Sequence, residues 1–260
     1  MRENRVKRTL AAGGLAIGTM VFEFNTTGIG RIAAEAGAEF VIFDMEHTGW
    51  SIETIRMLMA ATRAADTVPM VRVPATQYHL LSRPLDVGAM GLMVPMVEDV
   101  EQANLIVRSA KYHPEGGRGT AFGVAHDDYA GGDVAAKMAS ANAEGMLIAQ
   151  IETAKGVENA EAIAAVDGID CLWIGHFDLT QSLGIPAQFD HPRFQEAVDT
   201  VVAAADAHGK TAGIMAGSVD VGREWIGRGF RAIAYSGDLW IYQQALAEGI
   251  AALRTGATGE

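Results

Sequence analysis

The chain has 260 residues, which fits one large barrel or two ordinary domains. It is 49% hydrophobic and 20% charged, a composition typical of a soluble protein with an ample core. Its formal net charge of -12 argues against nucleic acid or an anionic membrane as the main partner, because both would repel it.

The first half of the sequence predicts four strands, each followed by a helix. Short apolar runs bounded by turn residues indicate buried strands, and longer stretches with caps indicate helices. The strands are expected at residues 16–22, 40–47, 69–74 and 91–97. Their helices are expected from Asn25–Thr27 to Gly37, from Ser51 to about Ala65, from Tyr78 to Val87 and from Glu98 to Ala110.

The second half repeats this alternation after an interruption. Residues 112–130 follow neither period, and a loop of this length is usually functional, so we expect it on the active-site side. Further strands are expected at residues 146–153, 171–179, 211–216 and 231–235. Helices are expected at residues 133–143, 154–165, 191–208, 218–228 and 239–253, and a frayed polar tail from about Thr255.

Eight strands that alternate with helices over ~250 residues predict a (β/α)8 TIM barrel, an α/β fold. We expect a single domain over residues 1–260, since no boundary interrupts the pattern. A doubly wound sheet is the alternative. It would usually show a glycine fingerprint after the first strand, and Gly13, Gly14 and Gly18 lie at the wrong place and spacing for one.

The cysteine content and the N-terminus indicate a cytoplasmic protein. The single cysteine, Cys171, cannot form an internal disulfide and begins an apolar strand, so we interpret it as an inert core thiol. The basic N-terminus lacks the continuous apolar core of a signal peptide. No apolar run reaches membrane-spanning length.

Polar residues close the fifth and sixth predicted strands. Because side chains alternate along a strand, Ile148, Gln150 and Glu152 share one face, with the two polar residues at its carboxyl end. Asp178 follows the next strand, so two carboxylates would lie side by side and repel each other. A divalent cation would reconcile them. The alternative is that each acid caps the following helix and contacts only water.

The second and third strands end in charged residues. Asp44, Glu46 and His47 close strand two, and Arg72 lies near the end of strand three. Asp44 and His47 could form an acid-oriented imidazole that acts as a general base; alternatively, Asp44 bonds a backbone amide and His47 contacts solvent. Arg72 requires an anionic partner, either Asp44 in a salt bridge or a carboxylate or enolate oxygen of a substrate.

Seven motifs, in order over nearly the whole chain, resemble those of the HpcH/HpaI family of class II pyruvate aldolases. They are Phe43-Asp44-Met45-Glu46-His47, Val71-Arg72-Val73-Pro74, Leu85-Asp86-Val87-Gly88-Ala89, Val94-Pro95-Met96-Val97, Gly116-Gly117-Arg118-Gly119, Gln150-Ile151-Glu152-Thr153 and Ile174-Gly175-His176-Phe177-Asp178-Leu179.

The resemblance implies a metal-dependent aldolase on a TIM barrel, commonly a homohexamer built as a dimer of trimers. Glu152 and Asp178 correspond to the metal ligands, for Mg, Mn or Co, and Gln150 would hydrogen-bond near the metal. His47 with Asp44 would form the catalytic dyad. Arg72 would neutralise the enolate, and Asp86 would reach a neighbouring subunit's site.

The implied reaction is reversible aldol cleavage of a 4-hydroxy-2-oxo acid, with pyruvate or a related 2-oxo acid as the nucleophile and an aldehyde as the electrophile. An enolate held at the metal would be the intermediate. Two alternatives stay open: a relative with the same enolate chemistry, such as a phosphonopyruvate-type lyase or hydrolase, and a non-catalytic oxo-acid-binding barrel.

One pair of residues departs from the family pattern. Relatives often have Pro-Ala between the glycine and the metal aspartate, where backbone amides receive the substrate carboxylate. Here Gly175 is followed by His176 and Phe177. The change keeps backbone amides but alters the wall of the substrate-binding pocket, and His176 could add a polar contact or serve as a buried structural histidine.

Overall fold

Eight parallel strands close into a barrel in chain order, with β1 paired to both β2 and β8. The computed structural model describes residues 2–257 of the chain. The predicted (β/α)8 fold is therefore confirmed. The strands are β1 (Ala16–Val21), β2 (Phe40–Asp44), β3 (Val68–Arg72), β4 (Gly91–Val94), β5 (Met146–Ile151), β6 (Cys171–Ile174), β7 (Thr211–Ala216) and β8 (Ala232–Gly237).

Twelve α-helices occur in the part of the chain that the structure describes, and a 3-10 turn (Ala125–Asp127) interrupts the long loop. The helices are α1 (Arg5–Ala11), α2 (Ile29–Glu35), α3 (Ile52–Thr62), α4 (Tyr78–Asp86), α5 (Val100–Ala110), α6 (Val134–Glu144), α7 (Ala154–Glu158), α8 (Ala160–Ala164), α9 (His176–Ser182), α10 (Pro192–Ala207), α11 (Val219–Gly227) and α12 (Asp238–Ala257). Residues 258–260 of the predicted frayed tail lie outside the described residues.

Strand alternation divides the core into two layers. One set of strand residues, including Phe40, Met70 and Ile148, fills the barrel interior, and the other set packs against the helices. Trp173 occupies so much of the interior that β7 must carry a glycine beside it, because a Cβ on Gly213 would overlap the Trp173 ring. Cys171 is buried in the same interior layer, where burial raises the pKa of its thiol.

Helix α1 closes the amino-terminal end of the barrel. Asn4 caps this helix, and its side-chain amide donates to the carbonyl oxygens of Met90 (3.0 Å) and Glu144 (3.1 Å). Only Val6 and Leu10 of the helix are buried. Such a short apolar face explains why the sequence pattern did not predict it.

The long loop lies on a different side of the barrel from the one we expected. Arg63, the C-cap of α3, donates to Ala125 O (2.5 Å) and pairs with Asp128, and Arg118 pairs with Asp86 at the end of α4 (2.6 Å). Helices of a (β/α)8 barrel run antiparallel to its strands, so these ends lie at the amino-terminal face. These parts of the loop are therefore remote from the carboxyl ends of the strands.

Helix α12 leaves the barrel after its first turn. The Asp238 carboxylate accepts three backbone N–H groups, from Phe22 (2.9 Å), Glu23 (3.0 Å) and Phe24 (2.6 Å), which fixes the start of the helix. From Trp240 onward every helix residue with a described side chain is exposed. Among residues 2–257, no helix is long and apolar enough to cross a membrane.

Candidate active site

The buried carboxylate of Asp44 organises the end of β2. It accepts the backbone N–H groups of Glu46 (3.2 Å) and His47 (2.8 Å), and Arg72 Nε donates to it at 2.5 Å. Asp44 is 0% exposed, so it requires these partners. The structure thus shows the backbone-amide contact and the salt bridge that the sequence left open as alternatives.

Arg72 is held by two acids and a ring. Besides its bond to Asp44, its Nη1 lies 3.1 Å from Glu46 Oε2, and its guanidinium carbon lies 5.7 Å from the centre of the Phe22 ring. In the parallel pairing of β2 with β3, Asp44 lies directly opposite Arg72. The guanidinium is therefore fixed at the carboxyl end of the barrel, with little freedom to reorient.

His47 is placed differently from the predicted dyad. Asp44 bonds the backbone of residue 47, while the imidazole side chain is 59% exposed and its Nε2 lies 3.7 Å from Glu46 Oε2. The chain leaves β2 at Asp44, so strand alternation no longer sets where the next side chains point. Glu46 is consequently the carboxylate nearest the ring in this structure.

Gln150 and Glu152 project from β5 into the same end of the barrel. The Gln150 amide donates to Glu152 Oε2, and the backbone N–H of Met96 donates to Glu152 Oε1 at 2.7 Å. Met96 adopts a left-handed φ of 54°, an unfavourable conformation for a residue with a side chain. The residue whose backbone N–H positions the Glu152 carboxylate therefore has a strained backbone conformation.

Asp178 follows β6, but one element later than we expected. Strand β6 ends at Ile174, and Asp178 lies in the first turn of α9 with an exposed side chain. Gly175 joins the two elements and passes close to β5. A Cβ on Gly175 would lie 2.7 Å from that of Glu152 and 2.9 Å from Gln150 Nε2, so only glycine fits there.

The acids of this site influence one another. Burial raises the pKa of Glu152 to about 7, opposed by its two hydrogen bonds and reinforced by Glu46 and Asp178. Burial likewise raises the pKa of Glu46 to about 7, opposed by Arg72 and reinforced by Asp44 and Asp178. The carboxylates of Asp44, Glu46, Glu152 and Asp178 are therefore near enough to affect one another's pKa, and Arg72 pairs with two of them, Asp44 and Glu46.

This donor set fits a hard divalent cation. The buried Gln150 Oε1 makes no hydrogen bond within the described part of the chain, and the buried Glu46 Oε2 has its ion pair with Arg72 but no hydrogen bond there. Among residues 2–257, no three His, Cys, Asp or Glu side chains are grouped as a metal cluster. A cation here would thus rely on Glu152 and Asp178 plus waters, as Mg²⁺ and Mn²⁺ allow.

An aromatic cavity adjoins Asp178. The cavity has a volume of about 580 Å³ and includes His176, Phe177, Phe189 and Trp240 in its wall. The rings of Phe177 and Phe189 meet edge to face with their centres 5.1 Å apart. Burial lowers the pKa of His176 to about 4, so this side chain is neutral near pH 7 and adds no positive charge.

The structure brings together most of the predicted site residues, with one exception. These residues lie in the last positions of strands or just after them: Asp44, His47, Arg72, Gln150, Glu152 and the segment from Gly175 to Asp178. Asp86 lies at the amino-terminal end, where it pairs with Arg118. The contributions of Glu46 and Met96 were missed: Glu46 was noted only as a strand-end acid, and a backbone amide has no sequence signal.

The chain is similar to known enzymes over most of its length. A sequence profile described as HpcH/HpaI aldolase/citrate lyase matches residues 20–245. The chain is 34% identical over 242 residues to the 5-keto-4-deoxy-D-glucarate aldolase of Shigella boydii serotype 18, and the match covers 93% of each protein. The enzyme of that name from Escherichia coli K12 matches with the same identity and coverage.

A solved structure shares the whole architecture. The HpcH/HpaI aldolase from Desulfitobacterium hafniense DCB-2 superposes with a TM-score of 0.90 at 34% sequence identity. The similarity covers 95% of this chain and 96% of the other.

Proposed function

The chain belongs to the HpcH/HpaI aldolase/citrate lyase family of carbon–carbon lyases, and from that premise we propose that it is a metal-dependent class II aldolase that uses pyruvate. The observation that carries the proposal is the group of acids Glu46, Glu152 and Asp178 at the carboxyl end of the barrel, with Arg72 fixed beside Glu46. The reaction is reversible cleavage of a 4-hydroxy-2-oxo acid to a 2-oxo acid and an aldehyde.

Glu152 and Asp178 would hold the divalent cation, Mg²⁺, Mn²⁺ or Co²⁺. When bound, such a cation supplies Lewis-acid polarisation of the keto group, which acidifies the neighbouring carbon. The buried position of Glu152, its bond from Met96 and its bond from Gln150 orient this ligand in advance. Gly175 lets the connection between β6 and α9 pass close to Glu152, so that Asp178 can contribute to the same cation site.

Arg72 would bind the developing enolate oxygen. Asp44 and Glu46 fix its guanidinium through Nε and Nη1, so the group is preorganised and costs little reorganisation when charge develops. Asp44 in this structure positions Arg72 and the backbone of His47. Its predicted role as partner of the imidazole would require the ring to rotate inward from its exposed position.

His47 is the proposed general base. Its ring is exposed at the mouth of the site, 3.7 Å from Glu46, where a substrate methyl group could approach it. The substrate carboxylate would accept from backbone N–H groups in the first turn of α9, which includes His176 and Phe177. The Gly175 N–H is already used, since it donates to Ile151 O at 3.2 Å.

The aromatic cavity beside α9 is the proposed binding site for the aldehyde. Its wall combines the rings of Phe177, Phe189 and Trp240, which favour the apolar part of an electrophile, with the carboxylates of Asp190 and Glu224. The relatives named 5-keto-4-deoxy-D-glucarate aldolase support a keto acid as the class of substrate. His176 and Phe177 would then decide which aldehyde this chain prefers.

We also propose a cytoplasmic homo-oligomer. Helix α12 exposes Ile241, Leu246 and Leu253, and it leaves Ile17 of β1 and Tyr235 of β8 exposed on the outside of the barrel. Exposed apolar side chains along a whole helix are typical of a subunit contact. A hexamer with Asp86 contributing to a neighbouring site follows from the family resemblance.

The test is proton exchange of pyruvate in deuterated water, followed by proton NMR with and without Mn²⁺ or Mg²⁺. We expect metal-dependent loss of the methyl signal, much slower exchange in His47→Ala, and wild-type exchange in His208→Ala, a matched exposed histidine. Exchange at the wild-type rate in His47→Ala would remove His47 as the base. Pyruvate binding without exchange would instead favour a non-catalytic oxo-acid-binding barrel.

A further inference from the structure

A small, partly open cavity lies at the amino-terminal end of the barrel, remote from the proposed active site. Its volume is about 40 Å³, and it is bounded by residues of α4, α5, α6 and the long loop. A single water needs ~10–15 Å³ of such space, so the cavity holds a few waters or one small ion. Its basic wall consists of Arg2, Arg63, Lys111, Arg118 and His126.

Two arginines of this wall each have a nitrogen without a partner. Arg63 Nη2 and Arg118 Nε are buried and make no hydrogen bond to any described residue. The rest of each guanidinium is anchored: Arg63 bonds Ala125 O and Asp128, and Arg118 bonds Asp86 at 2.6 Å. Each fixed cation thus leaves one buried donor unsatisfied, which is costly unless a ligand fills it.

His126 supplies the complementary group. Its Nε2 lies 2.6 Å from Ala121 O, and because a carbonyl can only accept, Nε2 carries the proton. Burial lowers the pKa of this side chain, which favours the neutral ring. Its Nδ1 is then a hydrogen-bond acceptor, and it too is buried without a partner among the described residues.

The acid in the wall does not cancel this positive charge. Glu144 accepts the backbone N–H of Asn4 at 2.6 Å through Oε2 and pairs with Arg8 through Oε1. Burial and then Arg63 lower the pKa of Arg2, and Asp128 and Asp66 oppose this shift. Arg63 and Arg118 are each paired with one acid, whereas Arg2 and Lys111 form no ion pair with a described residue, so the wall keeps positive charge that an anion can neutralise.

We propose that this cavity binds inorganic phosphate. A phosphate oxygen accepts from guanidinium N–H groups, and a protonated phosphate also has an O–H that can donate to His126 Nδ1. Sulfate offers the same acceptors but no O–H at neutral pH, and chloride offers no donor. The site therefore selects phosphate over anions of similar size or charge.

The test compares thermal unfolding of the full-length protein at pH 7 with phosphate, sulfate or chloride at equal ionic strength. A ligand that binds only the folded state raises the melting temperature in proportion to its saturation. We expect phosphate to raise it at concentrations where sulfate and chloride do not. Equal effects of phosphate and sulfate would overturn the proposed role of His126.

Variants assign the effect to this cavity. Arg63→Gln removes one donor and should weaken phosphate binding at least about tenfold in a calorimetric titration. His126→Phe keeps an aromatic ring and should abolish the preference for phosphate over sulfate, whereas Arg56→Gln, on the exposed face of α3, should change nothing. If Arg63→Gln bound phosphate like the wild type, the anion would lie elsewhere. If no anion stabilised the wild-type protein, the cavity would hold water only and the proposal would be wrong.

Discussion

Replacing Glu152 by glutamine should stabilise the metal-free protein at alkaline pH and abolish its response to divalent cations. The two side chains have the same shape, and the glutamine carbonyl can still accept the Met96 N–H. The glutamine amide nitrogen would meet Gln150, whose Oε1 has no partner among the described residues and can accept from it after an amide flip. The substitution therefore removes charge without leaving a new unsatisfied group.

The magnitude follows from the raised pKa of Glu152. Burial shifts this pKa from 4.5 to about 7, so between these values the folded state binds more protons than the unfolded state. The stability of the wild-type protein must then fall as pH rises through this window. A shift of this size corresponds to roughly 3 kcal/mol above pH 7, at 1.36 kcal/mol per pKa unit. Glu152→Gln should recover up to that amount at pH 8 and almost none at pH 4.5.

Urea unfolding of chelator-treated protein at pH 4.5, 6 and 8 measures this difference, with Glu158→Gln as an exposed control on α7. Addition of Mg²⁺ or Mn²⁺ at pH 8 should stabilise the wild type and the control but not Glu152→Gln. The reasoning fails if Glu152→Gln is no more stable than the wild type at pH 8. It also fails if the cation stabilises both proteins equally.

Three other substitutions probe separate features. Gly175→Ala places a Cβ 2.7 Å from that of Glu152, so it should lower the affinity for Mn²⁺, measured by calorimetry, and the melting temperature. Asp44→Asn weakens the buried pair with Arg72, so it should lower the free energy of unfolding in urea by about 1–3 kcal/mol. It should also raise KM for the 2-oxo acid, and an unchanged KM would argue against Arg72 as the substrate contact. Leu246→Glu on α12 should dissociate the proposed oligomer, as measured by light scattering, while Gln243→Glu on the same helix should not.

The barrel could be predicted from the sequence because its signals are local. The apolar run Thr211–Ala216 has the predicted bounds of β7, and Ser51 caps α3 as expected. Other short segments carried weaker signals. Helix α2 begins after Gly28 without a side-chain cap, and α9 was read as a continuation of β6 because His176 and Phe177 follow an apolar strand directly.

The candidate site was predictable as a list of residues but not as a set of contacts. Gln150 and Glu152 follow strand alternation, so their inward orientation could be deduced. Asp44, Glu46 and His47 span the point where β2 ends, and the turn that Asp44 stabilises directs the imidazole outward. The strained Met96 amide depends on the conformation of a β4 loop that no side-chain pattern encodes.

The distribution of charge within the site argues for a metal-assisted mechanism over one through a lysine Schiff base. Lys155, the lysine next to Glu152 in sequence, has its ammonium 3.0 Å from Asp99 and 3.4 Å from Glu98, in an exposed ion pair on α7. Arg72 is already paired with Asp44 and Glu46, so it does not neutralise Glu152, whose pKa is raised by burial and by its acidic neighbours. A carboxylate in that condition is stabilised by a cation from solution. The side of the site that Arg72 does not reach, between Glu152 and Asp178, is therefore where we expect the divalent cation to bind.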